Sequence, residues 1–496
     1  MIYKDSEEVS IINKRHLVTK KNIGKKKYQY KSKFQFKTKY SLNDIFIFIK
    51  ILYFFILIIY YKNYKSKLFN NNQEKYYSHT KYKIYNKIFE KKCLNKINFG
   101  IFIPSLTNGG RERITALLIT YLTKIKIFNT YLFTKSWKNR YEYKIPENTS
   151  RIHTYGNQDL INQLIKYKID VFVYQSYNAY EMELVSKLTS VKTIFYNHSS
   201  FWFWIYFNRA HFIPQLYKIY KNAKYVISLI HFENDFLFKK WGINSILMNN
   251  FITYDYKKII SSNLSSKTIV MIGRADAKKK RFHIGINAME YIINEIPECK
   301  MLIIAELKGM SNLMTLIDNL NLNNNIIVNG YTSMPEIYFK NSSLNIFPSI
   351  SEAFPMVICE TKIFGIPNIM IGIDYITVSE KGIEIIYDDI PELLAIKSLN
   401  LLKNYEYRKN LGTEGRKNMK RFNNDLLLKK WLKLILSIYN GEIYFEIMKR
   451  NEKQMTKNNS LYILKNQINL LKIRMPEFKN ISISDFENFT FMENIL

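Results

Sequence analysis

Cysteine is scarce in this chain of 496 residues: Cys93, Cys299 and Cys359 are the three present. They are odd in number and far apart, so they supply neither a zinc-ligand spacing nor a disulfide framework. Acids are short too, with 41 Asp and Glu against 74 Lys and Arg, a formal net charge of +33. That imbalance admits two readings: attraction to anionic lipid, nucleic acid or phosphorylated substrates, or a drift of composition toward Lys, Asn, Ile and Tyr. Arginine-rich runs, zinc-finger spacings and RNA-binding aromatic motifs are missing, so nucleic acid is not an expected partner. G-x-G-x-x-G is missing as well, which removes the dinucleotide fingerprint. No paired aspartates stand in a convincing metal setting; Asp388 and Asp389 precede the segment IPELLAIKSL and read as a helix cap.

What is present is globular: 47% hydrophobic and 23% charged residues allow a large core, and the length asks for two or three domains. Residues 1–44 carry twelve Lys or Arg against four acids and read as a disordered basic arm. Residues 45–61, IFIFIKILYFFILIIYY, are 17 in number, and thirteen are Ile, Leu or Phe. At roughly −0.3 to −0.6 kcal/mol each they outweigh the roughly +2.5 to +3.5 of Lys50, which can snorkel. A single-pass membrane anchor is expected, with a buried amphipathic helix as the alternative. Lysine counts on its two sides, seven over 25–44 and five over 62–81, favour a cytosolic amino terminus only slightly.

After a Lys/Asn/Tyr-rich linker (62–95), short apolar runs alternate with longer amphipathic ones. INFGIFIP, DVFVYQS, KTIFYNH, KYVISLI and NSILMNN read as strands of a first unit, 96–250. KTIVMIG, KMLIIAE, NIIVNGY, LNIFPS and PNIMIG repeat the pattern in a second, 251–440. Alternation of this kind implies α/β architecture with parallel sheets, here two Rossmann-like domains facing each other. The remainder, 441–496, is a polar extension with one amphipathic stretch, LYILKNQINLLKIRM, read as a packing or partner helix.

Chemistry concentrates in three stretches. IPSLTNGGRER follows the first strand and opens a helix; Gly109 and Gly110 let backbone amides approach a ligand, and the helix start favours an anion. A purely structural Gly-Gly turn fits the same residues. GRADAKKKRF follows the first strand of the second unit, placing Arg274 and the basic residues 278–281 where an open α/β sheet binds ligands. A solvated basic loop would look alike. PSISEAFPMVICETKIFGIP follows the strand LNIF; Pro355 suits a first helical residue, so a helix over 355–364 is expected. Glu352 then lies on the preceding loop and Glu360 inside the helix, on different elements. Amides around Ala353 and Phe354 at the helix start would receive negative charge.

Taken in order, GGRER, GR with its lysines, and PSISEAFPMVICETKIFGIP resemble the family 4 type of GT-B glycosyltransferases, over roughly residues 97–440. The E-x7-E signature of that family matches Glu352 and Glu360. The resemblance implies that Glu360 holds the ribose of a nucleotide and that Glu352 sits by the donor sugar, with the backbone after it on sugar and phosphate. Arg274 and a lysine, Lys280 in preference to Lys279, would bind the diphosphate. Gly109 and Gly110 would close on it from the other domain, and His198, in FYNHSS, would lie near the transferred sugar. The commoner family form has Gly where this chain has Ala353 and Pro355, and Pro355 removes an amide donor.

The activity so implied is retaining transfer of a sugar from a nucleoside-diphosphate sugar to a hydroxyl of a glycan or lipid-linked saccharide at a membrane, without a metal or other cofactor. A catalytically silent subunit of the same fold, and a nucleotide-sugar epimerase, are the other readings.

Overall fold

Runs of Ile, Val, Leu and Phe four to seven residues long set the architecture. The computed structural model describes residues 96–442 and residues 469, 470, 473 and 474. Within the first span it omits 108, 139–141, 208–211, 232, 235–236, 238–240, 275–276, 307–308, 333 and 374. The basic arm, the expected anchor 45–61 and the linker lie outside the described residues. Among the described residues no helix is long and apolar enough to cross a membrane.

The first sheet contains β1 (Ile97–Phe102), β2 (Phe128–Thr134), β3 (Ser150–His153), β4 (Val171–Tyr174), β5 (Lys192–Tyr196), β6 (Tyr225–Ser228) and β7 (Ser245–Leu247). The second contains β8 (Thr268–Ile272), β9 (Lys300–Ile304), β10 (Ile326–Asn329), β11 (Leu344–Phe347), β12 (Asn368–Ile371) and β13 (Ile383–Ile386). Their orders are 3-2-1-4-5-6-7 and 10-9-8-11-12-13. Every pairing is parallel, with Phe102 opposite Tyr174 and Leu344 opposite Ile269 at the centres. Strands such as VFVY, YVIS, LNIF and NIMI are buried at every position, as helices on both faces require.

Three strands, β2, β3 and β13, escaped the expectation from sequence. β2 interrupts its apolar run with Asn129 and Thr130, while β3 and β13 are sheet edges with half-exposed residues. An edge strand has less apolar face to advertise.

Helix Met356–Ile363 starts one residue later and ends one earlier than expected; Pro355 is its N-cap, in extended conformation. Its seating rests on a buried polar chain: Thr361 Oγ1 donates to Asn368 Oδ1 at 2.7 Å, and Asn345 Nδ2 donates to the same oxygen at 2.7 Å. This network joins β11, β12 and the helix carrying Glu360. Helix Tyr405–Asn418 then packs on it closely enough that a Cβ at Gly412 would lie 1.9 Å from the Gly365 carbonyl oxygen.

The last long helix, Asn424–Tyr439, returns to the first sheet. Trp431 is fully buried, edge-on to Tyr196 with ring centroids 5.5 Å apart, and Lys192 donates to the Tyr439 carbonyl at 3.0 Å. From the extension, Leu470 is buried and Arg474 donates twice to Asp389, 2.9 Å each, beside an Arg281–Asp389 ion pair of 2.6 Å. Asp389 is therefore not a helix cap. Helix Pro391–Lys403 has Ile390 at its N-cap with no side-chain bond, because two guanidiniums claim the carboxylate more strongly than backbone amides would.

Gly412→Ala must push a methyl into a backbone carbonyl that has no rotamer to yield. It should destabilise the protein by about 1–3 kcal/mol, read as a lower urea midpoint at unchanged slope; an unchanged midpoint would disprove the close approach.

Candidate active site

Each sheet reverses its strand order once, between β1 and β4 and between β8 and β11. Loops leaving neighbouring strands diverge there, which opens a crevice at the carboxyl edge. Both crevices open on one cleft of about 570 Å3, lined from the first domain by Gly109, Gly110, Arg113, Tyr143 and His198 and from the second by Arg274, Lys279, Lys280, Glu352 and Glu360. That is an ordinary volume for a small-molecule site.

On the second-domain side, Arg274 stands two residues beyond β8, exposed, and makes no ion pair among the described residues. Lys280 Nζ donates to Glu352 Oε1 at 2.6 Å, and Ser349 Oγ donates to the same oxygen at 2.8 Å. Lys279 Nζ lies 3.8 Å from Oε2 and 5.4 Å from the centre of the Phe203 ring across the cleft. Burial alone would push the Glu352 carboxyl up, but Lys279 and Lys280 outweigh it and hold the group at about 2. Glu352 is thus an anion throughout the physiological range, suited to accepting hydroxyl donors and not to giving up a proton. Arg281, the last of the basic run, is turned inward to Asp389 and to the Pro348 carbonyl, so it does not face the cleft.

Ala353 and Phe354 line the cleft but are buried, and the Phe354 ring packs edge-on against Phe422, 5.7 Å between centroids. Their backbone, followed by a helix start with no side-chain cap, is what remains for a ligand. Glu360 lies in the second turn, 2% exposed. Arg113 Nη1 donates to its Oε1 at 2.6 Å and Thr253 Oγ1 donates to the same oxygen at 3.2 Å. Burial raises the Glu360 carboxyl and Arg113 opposes the rise.

On the first-domain side, Gly109 is the N-cap of helix Gly110–Leu122. A Cβ at Gly109 would lie 1.9 Å from Glu112 Oε2, whereas one at Gly110 would meet nothing within 4 Å. Gly109 therefore sits beneath the carboxylate of its own helix, whose other oxygen is held by Arg111 at 2.7 Å, and Gly110 faces open space. Both glycines expected at the diphosphate line the cleft, and Gly110 is the more exposed of the two.

His198 follows β5. Its Nε2 lies 2.8 Å from Gln175 Oε1, at the end of β4. The proton direction follows from the chain behind it. Thr115 Oγ1 gives its proton to the Arg111 carbonyl at 2.9 Å and so accepts from Gln175 Nε2 at 2.9 Å. Gln175 then presents its carbonyl oxygen to His198, an arrangement that favours the tautomer with its proton on Nε2 and Nδ1 as an acceptor. Burial, helped by Arg111, keeps this imidazole neutral, its pKa well below the ordinary value.

Arg113, Gln175, Thr115 and Thr253 were not among the expected site residues. Arg113 had a signal: it stands three residues after Gly110, on the same helical face. Gln175 and Thr253 carry none, because their roles depend on the strand order and the domain crossing.

Residues 254–418 match the family described as Glycosyl transferases group 1. A poly(glycerol-phosphate) alpha-glucosyltransferase of Bacillus subtilis (strain 168) is 29% identical over 106 residues, 21% of this chain and 16% of that protein. The chain thus spans about a sixth of the length of that relative. Sucrose-phosphate synthase from Thermosynechococcus elongatus superposes with a TM-score of 0.61 at 14% identity, over 70% of this chain and 100% of the other. Anabaena HepE, in complex with UDP-glucose, superposes at 0.56 and 12%, over 69% and 100%. Residues 254–418 are thus similar to the glycosyl transferases group 1, and the two facing sheets have the GT-B fold.

Proposed function

We propose that this protein is a retaining glycosyltransferase that moves a sugar from a nucleoside-diphosphate sugar to a hydroxyl of a glycan or lipid-linked saccharide. One observation carries the reading: Arg274, Lys280 and Glu352 at the switch point of the second sheet face Gly110, past β1, and His198, past β5, across a single cleft. The nucleotide-sugar donor is supported by the likeness in fold to the UDP-glucose complex. The polymeric acceptor is supported by the name of the poly(glycerol-phosphate) relative. Attachment to a membrane through residues 45–61 belongs to the same proposal and would bring a lipid-linked acceptor to the cleft.

As the bond from the anomeric carbon to the diphosphate oxygen breaks, negative charge grows on that oxygen. Arg274, Lys280, the Gly110 amide and the amides opening helix Met356–Ile363 stabilise it where it develops, in a site that excludes water. The reading assigns this work to the chain itself, with no metal or other cofactor. Glu352, fixed as an anion, accepts hydroxyls of the donor sugar, and His198 accepts one through Nδ1. Glu360 takes the ribose. The acceptor oxygen attacks from the face the diphosphate leaves, its proton passes to the leaving phosphate oxygen, and configuration is retained.

The full chain, offered a panel of UDP- and GDP-sugars with saccharide acceptors, should yield a glycosylated product by mass spectrometry. Arg274→Ala should lower kcat/KM by about 10²–10³-fold, the size of losing one preorganised charge-stabilising donor. Equal rates in the variant would remove Arg274 from the site. Nucleotide binding without turnover would instead favour the silent subunit.

The proton chain behind His198 is open to nitrogen-15 NMR of the imidazole. The proton should sit on Nε2 in the wild type and be shared between the two nitrogens in Gln175→Leu, with kcat reduced roughly tenfold, the low end for a misplaced polar contact. A wild-type imidazole protonated on Nδ1 would reverse the assignment.

A further inference from the structure

The proposed ribose acid, Glu360, is carried by the second domain, yet its shortest contact comes from the first. Arg113 Nη1 donates to Oε1 at 2.6 Å, and Thr253, where the chain passes between domains, donates to the same oxygen at 3.2 Å. Oε2 makes no hydrogen bond among the described residues, although the side chain is only 3% exposed and lines the cleft. An oxygen left without a protein donor at the wall of a cleft is open to one from a ligand. One oxygen of Glu360 is thus spent across the domain gap and the other is left to the cleft.

We propose that Arg113 is a positioning residue for the donor nucleotide: by holding Oε1 from the opposite domain it turns Oε2 to the ribose hydroxyls, so the nucleotide site is complete only when the two domains meet. This rests on the glycosyltransferase reading, and on Glu360 as its ribose acid.

The charges around Glu360 make Arg113 hard to replace. Tyr143, Tyr254 and Glu336 face the same group. Both phenols are pushed above their ordinary range, mainly by burial, and stay neutral. Glu336, which accepts from the Tyr254 hydroxyl at 2.6 Å, acts on Glu360 in the opposite sense to Arg113 and raises it. Burial already favours the protonated form of Glu360, and Arg113 is the cation that opposes it. Gly110 and Arg113 lie three residues apart on one helical face, so a single first-domain helix reaches both the phosphate end and the ribose end of the donor. Nucleotide binding and domain closure then favour each other by necessity of linkage.

The test is calorimetric titration of the full chain with UDP and with GDP between pH 5.5 and 8.5, for the wild type, Arg113→Met and Arg113→Lys. Loss of a hydrogen bond to a charged group, about 1.5–3 kcal/mol, corresponds to roughly 10- to 100-fold weaker binding. Arg113→Met should show that loss at neutral pH, and its affinity should rise with pH as the unpaired Glu360 ionises. The wild type should vary less with pH than Arg113→Met, because Arg113 opposes the rise that burial imposes on Glu360, and Arg113→Lys should restore the shallower profile and most of the affinity. Circular dichroism establishes that each variant is folded. A folded Arg113→Met with wild-type affinity and the wild-type pH profile overturns the proposal. So does equal weakening at every pH without rescue by lysine, which would mark a merely structural contact. If the wild type binds neither nucleotide, the glycosyltransferase reading itself falls, and the proposal with it.

Discussion

Everything at this site depends on one constraint of parallel sheets. A strand order that runs outward in both directions from the centre leaves the loops above the two central strands pointing apart, and a ligand-sized gap cannot be avoided there. This chain builds that gap twice, above β1 and β4 and above β8 and β11, and sets the two gaps face to face. The side chains that matter all follow from it. Gly110, Gln175 and His198 sit past the ends of β1, β4 and β5, and Arg274 and Glu352 past the ends of β8 and β11. None needs a special loop conformation to reach the cleft. Each needs only the correct distance from the end of an apolar strand.

Within the cleft the two glutamates of the decapeptide SEAFPMVICE behave as opposites although both are buried. Burial raises both carboxyls, and the difference lies in what offsets it. Glu352 has two lysines and the Ser349 hydroxyl beside it, and falls to about 2. Glu360 has one arginine from another domain, with Glu336 pulling the other way, and stays raised. The first is locked as an anion by its own domain. The second depends chiefly on its neighbour across the cleft to oppose the effect of burial. Two carboxylates eight positions apart in one segment thus divide into a fixed charge and a conditional one, which no inspection of the segment alone could separate.

How much of this was legible in the sequence follows the same division. The buried strands announced themselves as unbroken apolar runs, and the positions of Arg274, Lys280, Glu352 and His198 followed from distance along the chain beyond them. Local spacing carries that kind of information well. It failed at Asp389, where a helix-cap reading lost to Arg281 and Arg474, the second of them 85 residues away. It gave no sign of Gln175, whose value lies in the direction of a proton chain running from Arg111 through Thr115. These are tertiary facts, fixed by which strands became neighbours, and a periodicity in one dimension does not encode them.

The domains are joined in a way that suits a cleft that opens. Several contacts across it are polar: Ser200 Oγ to Ser351 Oγ at 2.6 Å, Lys279 over the Phe203 ring, Arg113 to Glu360, and the Arg474 guanidinium 5.3 Å from the centre of the Tyr206 ring while it grips Asp389. Polar contacts exchange with water at little net cost, so such a boundary parts far more easily than a core does. The apolar tie lies elsewhere, where helix Asn424–Tyr439 buries Trp431 against the first sheet. The chain crosses between domains near Ile252 and again just before Asn424, and the Asn424 amide binds the two crossings together, accepting from the Ile252 amide and donating to its carbonyl at 2.8 Å each. Two crossings pinned to one another act as a single hinge. A swing about such a hinge would leave both sheets intact and would part the cross-cleft partners, Arg113 and Glu360 foremost.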